Sequence, residues 1–422
     1  MMREVWVALL AWTWLASASA EPLTLEEALA TVAAPHPDRQ IAESDLALAR
    51  ADRDQMASIQ DFRLFLDGTL AGGEGEFGGW RANNLGRIVA RKPLFDFGRS
   101  SQAVAAADQN VAASQTALFH VQSLRRIDIM ARFFDVLLAD MQYAADNEFM
   151  AVAYVSWENA QDRFKVGKIS QPELVKLEAD FQNSRERREA SLKQVRSSRQ
   201  KLAHAMYRPG NLPTELAEPD LPSNASPVAE YESLLPWVME KNPRVQVLQS
   251  KLAAADARIA AMRAEANPML DAEVVGADFS RISNTRDNIS AGVVFLIPLY
   301  QGGRVDALVA REMAQKERSA AELEKLKLEL ADSLLLTLQE IEWLRSSGRV
   351  AADKQIEYRD WALERSRAEY ELELKTNLGT SMADTQVAAL RRKQVEYQLA
   401  LALARLEAMS GGSLPSLEGA AK

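Results

Sequence analysis

Apolar side chains recur along this chain with two different periods, and the change from one to the other is abrupt. Between Gly303 and Tyr370 the positions Leu323, Leu326, Leu330, Leu334, Leu338 and Ile341 step by three or four, separated by Glu, Lys, Gln and Asp. This is one apolar stripe on a polar helix. Proline is absent from Leu299 to Leu414, and only Pro172 interrupts Gly98 to Arg208. Because proline costs about 3 kcal/mol inside a helix, such stretches predict very long helices. The 68 residues from Gly303 to Tyr370 would reach roughly 100 Å at 1.5 Å per residue, with Ser346-Ser347-Gly348 placed to bend the rod. No globular core is that long, so these rods must pack against other rods.

A period of two governs four shorter segments, Phe62–Gly72, Leu85–Leu94, Leu270–Phe279 and Ile289–Ile297. In the last, Ile289, Ala291, Val293, Phe295 and Ile297 share a face, with Ser290 and Gly292 opposite. In the third, Leu270, Ala272, Val274 and Gly276 oppose Asp271 and Glu273. In the second, Arg87 and Arg91 share a face with Leu85 and Val89, so its alternation is poorer. These lengths suit tilted membrane strands, and an apolar-out, acidic-in pattern suits a barrel with a wet interior. Four strands cannot close such a barrel, and lipid tolerates no open sheet edge. If the strands enter a bilayer, several chains must share one barrel. The competing reading is a small soluble β domain on a helical stalk.

The two periods meet at a phrase that occurs twice. Pro93-Leu94-Phe95-Asp96-Phe97-Gly98-Arg99 recurs 205 positions later as Pro298-Leu299-Tyr300-Gln301-Gly302-Gly303-Arg304. Each copy ends a β segment and opens a helical one, so Pro93, Gly98, Arg99, Pro298, Gly302, Gly303 and Arg304 mark strand-to-helix junctions. His36-Pro37 and Asn242-Pro243 keep nearly the same offset, as do Phe164-Lys165-Val166-Gly167 and Tyr370-Glu371-Leu372-Glu373. An internal twofold repeat is expected. The first repeat covers 21–208, with a β-hairpin at about 62–94 and a turn near 165–172. A linker at 209–236 holds six of the fifteen prolines. The second repeat covers 237–412, with a hairpin at about 269–298 and a turn near 373–380, and 413–422 is a flexible tail. In the first turn Ser170 stands where an N-cap is required, two residues before Pro172.

Residues 1–20 read as a secretory signal peptide: an apolar core from Val5 to Ala16, then Ala18-Ser19-Ala20, with cleavage between Ala20 and Glu21. No later segment has the ~20 uncharged apolar residues of a transmembrane helix. The chain has no cysteine, which excludes disulfides, thiolate metal sites and a lipid-modified N-terminal Cys. A formal charge of −9, with basic residues spread along helices, argues against nucleic acid as a partner.

Taken together, the duplicated phrase, the His/Asn-Pro pair and the Phe/Tyr-x-x-Gly-x-x-Ser turn resemble the TolC family of outer-membrane efflux and secretion channels. The resemblance runs from about Leu23 to Ser410. It implies a mainly α fold with a small membrane β part. Three copies would form a 12-stranded β-barrel continuous with a 12-helix periplasmic α-barrel. It also implies an outer-membrane location with lipid around the strands, a homotrimer, and docking onto a periplasmic adaptor and an inner-membrane pump of RND or ABC type. The implied function is a passive exit duct. Val166-Gly167-Lys168-Ile169-Ser170 matches the family's adaptor-docking tip turn. The second turn departs from the pattern, with Glu373 in place of glycine, and Gly379 and Met382 where the family often carries an acidic ring. Glu373 and Asp384 remain as acidic candidates for a tunnel gate, and Lys375 for bracing it.

Two other readings stand beside this one. A periplasmic adaptor would show one helical hairpin flanked by β-rich domains instead of two equal halves. A secreted coiled-coil structural protein is the third reading, against which a heat-resistant trimer in detergent gels would argue. An enzyme is not expected: His36, His120 and His204 sit in no metal or triad motif. No cofactor and no metal is expected.

Overall fold

The computed structural model describes residues 22–74, 78–212, 215–280, 287–372 and 378–414. The signal region with Ala18, Ala20 and Glu21, the gate candidates Glu373 and Lys375, and the tail from 415 lie outside the described residues. In chain order the elements are α1 (Leu25–Ala30), α2 (Pro37–Ala57), β1 (Arg63–Thr69), β2 (Gly72–Glu74), β3 (Trp80–Ala82), β4 (Leu85–Phe95), α3 (Arg99–Lys165), α4 (Gln171–Ala205), α5 (Tyr231–Lys241), α6 (Pro243–Ala264), β5 (Met269–Phe279), β6 (Ile289–Leu296), α7 (Arg304–Trp343), α8 (Arg349–Glu371) and α9 (Leu378–Met409). The fold is helix-rich, and no described helix is long and apolar enough to cross a membrane.

The chain divides into two compact units. One holds the described residues up to Val32 together with Ile129–Asp220 and Leu363–Leu390. Its core includes Ile129, Phe133, Phe134 and Leu202, all essentially buried. Asp140 on α3 takes both guanidinium nitrogens of Arg199 on α4, at 2.7 and 2.8 Å. Leu23 pairs with Leu216 as an isolated parallel bridge, fastening the start of the described chain to the Pro-rich segment.

The other unit holds Ala33–Asp128, Leu221–Ala362 and the described residues from Arg391. Its sheet has the order β1-β4-β5-β6, antiparallel throughout, so the two hairpins join through β4 and β5. The α7 stripe is buried as its period requires. Leu323, Leu326 and Leu330 pack with Val245 of α6, and Leu334 and Ile341 pack with Leu234 and Val238 of α5 and Leu399 and Leu403 of α9. His36 and Asn242 occupy the N-caps of α2 and α6. His36 Nδ1 accepts from the Asp38 amide at 3.2 Å, and Asn242 Oδ1 accepts from the Arg244 amide at 2.9 Å. In both, the following proline is the first helical residue, where its missing N–H costs nothing.

The four-stranded sheet is open, with β1 and β6 at its edges, and the described chain shows no closed barrel. Two expectations need correction. The first hairpin continues past Thr69 into a separate ladder of β2 and β3, where the Trp80 indole covers Gly72 so closely that a Cβ there would meet it at 2.5 Å. The segment assigned to the linker already contains the start of α5, with Pro236 inside that helix. Burial of Leu234 and Val238, 1% and 0% exposed, outweighs the proline's cost. At Ser346-Ser347-Gly348, where a bend is expected, Leu344–Gly348 widens into a π-helical turn that leads into α8. A Cβ at Gly348 would lie 3.4 Å from Val395 Cγ1, so glycine lets α9 approach closely there.

Candidate functional site

The sheet has two chemically distinct faces. Cross-strand partners in an antiparallel sheet point to the same side. The register aligns Leu66, Ile88, Gly276 and Ile289 in one row and Leu64, Ala90, Val274 and Ala291 in the next. Leu66 and Ile289, at opposite edges, are 82% and 78% exposed. The reverse face carries Asp67, Arg87, Arg91, Asp271 and Glu273. There the two arginines that blur the alternation of β4 find carboxylates on neighbouring strands. Arg87 Nε donates to Asp67 at 2.8 Å and Arg91 Nε to Glu273 at 2.9 Å. The poor alternation in the sequence is therefore ion pairing across strands.

At the two strand-to-helix junctions the backbone makes the same move. Phe97 and Gly98 have φ of 54° and 90°, and Gly302 and Gly303 have φ of 61° and 75°. Two successive left-handed residues turn the chain from strand direction into helix. Pro93 lies within β4 beside a shift of register, where a missing ladder N–H is tolerated; Pro298 follows the end of β6. Arg99 and Arg304, 205 positions apart in sequence, both reach Glu265, one to each carboxylate oxygen. The Arg99 contact is 3.2 Å, and the Glu265 side chain is 8% exposed. Gln301 Nε2 adds a bond of 3.0 Å to the Glu265 carbonyl. Glu265 caps the end of α6 and carries no sequence signal of its own; only the fold shows it as the shared partner.

The turn between α3 and α4 closes with a Schellman-type pair of bonds, Gly167 N–H to Phe164 O at 2.9 Å and Lys168 N–H to Arg163 O at 2.8 Å. Gly167 supplies the positive φ, 72°. Val166 is 67% exposed and Ile169 is buried, so the turn presents Val166 and Lys168 outward and anchors itself by Ile169. Ser170 occupies the N-cap of α4, but its hydroxyl makes no capping bond. Nearby on the same two helices, Trp157 and Phe181 stack with ring centroids 5.3 Å apart, a contact invisible in the sequence pattern. Asp384 is half-buried and engaged within the chain. A Cβ at Gly379 would meet Val152 Cγ2 at 2.6 Å. That close approach of α9 to α3 is a steric reason for glycine at this position.

Titratable groups form no reaction centre among the described residues. No cluster of three His, Asp or Glu residues there has metal-binding geometry. His36 is occupied as a cap. Burial, with the Arg244 charge as a lesser cause, holds His120 below the ordinary imidazole value and so neutral.

Residues 234–412 match the family model for outer membrane efflux proteins. No curated protein matches the sequence. Solved structures resemble nearly the whole of it. The outer membrane protein VceC of Vibrio cholerae superposes with a TM-score of 0.72 at 15% identity, covering 93% of this chain and 97% of that one. The CmeC outer membrane channel of Campylobacter jejuni gives 0.73 at 12%, over 92% and 86%. The open-state MtrE outer membrane channel of Neisseria gonorrhoeae gives 0.69 at 15%, over 92% and 89%. At these identities the likeness establishes the fold, and it spans both halves of the chain.

Proposed function

We propose that this protein is the passive exit duct of a tripartite efflux or type I secretion system. In this reading it assembles as a homotrimer with a 12-stranded outer-membrane barrel and a periplasmic helical tunnel. One observation carries it: a four-stranded sheet with an exposed apolar face, a charged reverse face and two unpaired edges. Such a sheet is stable in lipid only when other copies close it, and three copies supply twelve strands. The strands lead through the Arg99 and Arg304 junctions directly into α3 and α7, so a path lined by the charged face continues into a helical section. The chain contributes no chemistry of its own. An inner-membrane pump of RND or ABC type provides the energy, and a periplasmic adaptor docks at Val166-Gly167-Lys168-Ile169-Ser170. Opening is a helix rearrangement at the tip, selected by adaptor binding, with Glu373, Lys375 and Asp384 as gate residues.

Planar-bilayer conductance tests this. Purified trimer should insert and show rare openings, and replacing Glu373, Lys375 and Asp384 together by Ala should raise the open fraction. A trimer that never conducts in either form is not a gated duct. Membrane fractionation addresses the adaptor reading, and a heat-resistant trimer in detergent gels argues against a secreted coiled coil.

A further inference from the structure

The second unit has two free edges, and each pairs a strand with a helix. On one side β1 is preceded by α2; on the other β6 is followed by α7. Between them lie α3 and α6. Arg53 of α2 meets Asp108 of α3 at 3.0 Å, Arg99 of α3 meets Glu265 at the end of α6, and Arg258 of α6 meets Glu312 of α7 at 3.1 Å. The helices therefore follow the strand order, α2-α3-α6-α7, and α2 and α7 are the outer pair.

Both outer helices carry charge at a spacing of seven residues, and the signs are opposite. On α2 these are Asp38, Asp45 and Asp52; on α7 they are Arg311, Arg318 and Lys325. All six are exposed. Seven residues is about two turns, so each set forms a line along its helix with a step of roughly 10.5 Å. The two lines lie on the same side of the helical layer. The three aspartates line a groove of about 500 Å³ that includes Val247, and Val247 also lines the adjoining groove that contains Lys325. Within the chain these charges are weakly engaged. Asp45, Asp52 and Arg311 have no ion pair among the described residues. Arg318 and Lys325 have only solvent-exposed i,i+4 partners, Glu322 at 3.0 Å and Glu329 at 3.9 Å, which are worth little and are readily exchanged.

Size is complementary too. Ile41 and Leu48 are each 61% exposed on α2. The solvent edge of α7 near the sheet carries the small residues Ala307, Ala314 and Ala321. The helices run in opposite directions relative to the sheet, since α2 leads into β1 and α7 leads away from β6. Counting outward from the sheet on both sides places Asp52 opposite Arg311, Asp45 opposite Arg318 and Asp38 opposite Lys325, with Leu48 facing Ala314 and Ile41 facing Ala321.

We propose that these edges recognise each other between copies. The aspartate line of α2 in one protomer packs along the Arg311-Arg318-Lys325 line of α7 in the next, and so fixes the order and register in which the ring closes. The inference rests on the trimeric reading above and names the surface that makes it specific. Opposite charge in register admits the correct edge and repels the same edge of another copy.

Crosslinking of the full chain in detergent tests it, because the native sequence contains no cysteine. A chain carrying both Asp45→Cys and Arg318→Cys, treated with a short bismaleimide, should give covalent dimers and trimers. Asp45→Cys with Arg304→Cys, two heptads out of register, should not. In addition, reversing the aspartates to Lys should cut the trimer-to-monomer ratio by about tenfold per seam, the sum of three modest pairs. Reversing Arg311, Arg318 and Lys325 to Glu in the same chain should restore it, with far-UV circular dichroism confirming that each variant is folded. A native trimer that gives no crosslink at 45/318, or folded reversal variants as trimeric as the native chain, would overturn the seam and leave the trimer standing. A native chain that is monomeric in detergent would instead remove the trimer itself.

Discussion

The two strand-to-helix junctions make one backbone turn with different side chains. In the second, Gly302 and Gly303 take the two left-handed positions without a Cβ to strain. In the first, a phenylalanine occupies one of them at φ 54°, a conformation that normally costs a bulky residue of order 1–3 kcal/mol. Its surroundings hold it there. Phe97 meets Phe95 edge to face with centroids 4.7 Å apart. Asp96 accepts from the Gly98 amide at 3.2 Å and from the Ser100 amide at 2.8 Å. The second junction has Gln301 in place of Asp96, bonded to the Glu265 carbonyl instead. One junction is held by local caps and rings, the other by glycine freedom and a tie to α6. They converge only at Glu265.

The sharpest way to break both at once is therefore Glu265→Ala. It takes the shared carboxylate from two guanidinium groups, of which Arg304 keeps Gln301 Oε1 at 3.0 Å. Allowing for their partial exposure, the loss should be about 2–3 kcal/mol, below the range for fully buried pairs. Chemical denaturation in detergent would measure it, and a cost no larger than that of Arg304→Ala alone would show that the two arginines do not share this anchor.

Next in size, Gly303→Val forces a branched side chain to positive φ and should cost about 1–2 kcal/mol. Phe97→Gly should change stability by less than about 1 kcal/mol, because relief of strain offsets the lost ring contact. Equal costs for the two would mean that Phe97 is not strained. Asp96→Ala removes two capping bonds and should cost about 1 kcal/mol, and Gln301→Ala, which removes one neutral bond to the Glu265 carbonyl and one from the Arg304 guanidinium at 3.0 Å, should cost about as much.

The smallest effect lies away from the junctions. Glu396 on α9 accepts bonds from Arg349 at 2.7 Å and from Asn224 at 2.8 Å. The Arg349 bond, then that of Asn224, hold its carboxyl below the ordinary value of 4.5 despite burial. A depressed folded value means that the stabilisation is complete above the unfolded pKa. It is lost as the pH falls through the lowered folded value. Melting temperature against pH should show an acid limb that Glu396→Gln flattens; a variant with an unchanged limb would assign the acid sensitivity elsewhere.

Much of the architecture was legible in residue order. Leu323, Leu326, Leu330 and Leu334 announced the buried stripe of α7, and the alternation from Ile289 to Phe295 announced a strand with one apolar face. These are local periodicities, and they survive because tertiary packing here agrees with them. Other features were not legible, for equally physical reasons. Arg87 and Arg91 looked like a flaw in a strand until Asp67 and Glu273 stood beside them. Pro236 looked like linker until the burial of Leu234 and Val238 carried a helix through it. Nothing in the sequence sets Asp38, Asp45 and Asp52 apart, and they gain meaning only because α2 is an outer edge of the layer.

The sequence by itself determined that this chain makes long amphipathic helices and short two-faced strands, joined twice by the same phrase. Both follow from spacing along one backbone. Only the tertiary structure decided that β4 lies against β5, that Arg99 and Arg304 meet on Glu265, and that α2 and α7 are the outer helices of the layer. Those are contacts between residues far apart in the chain, and no local period specifies which distant side chain a charge or an edge will meet.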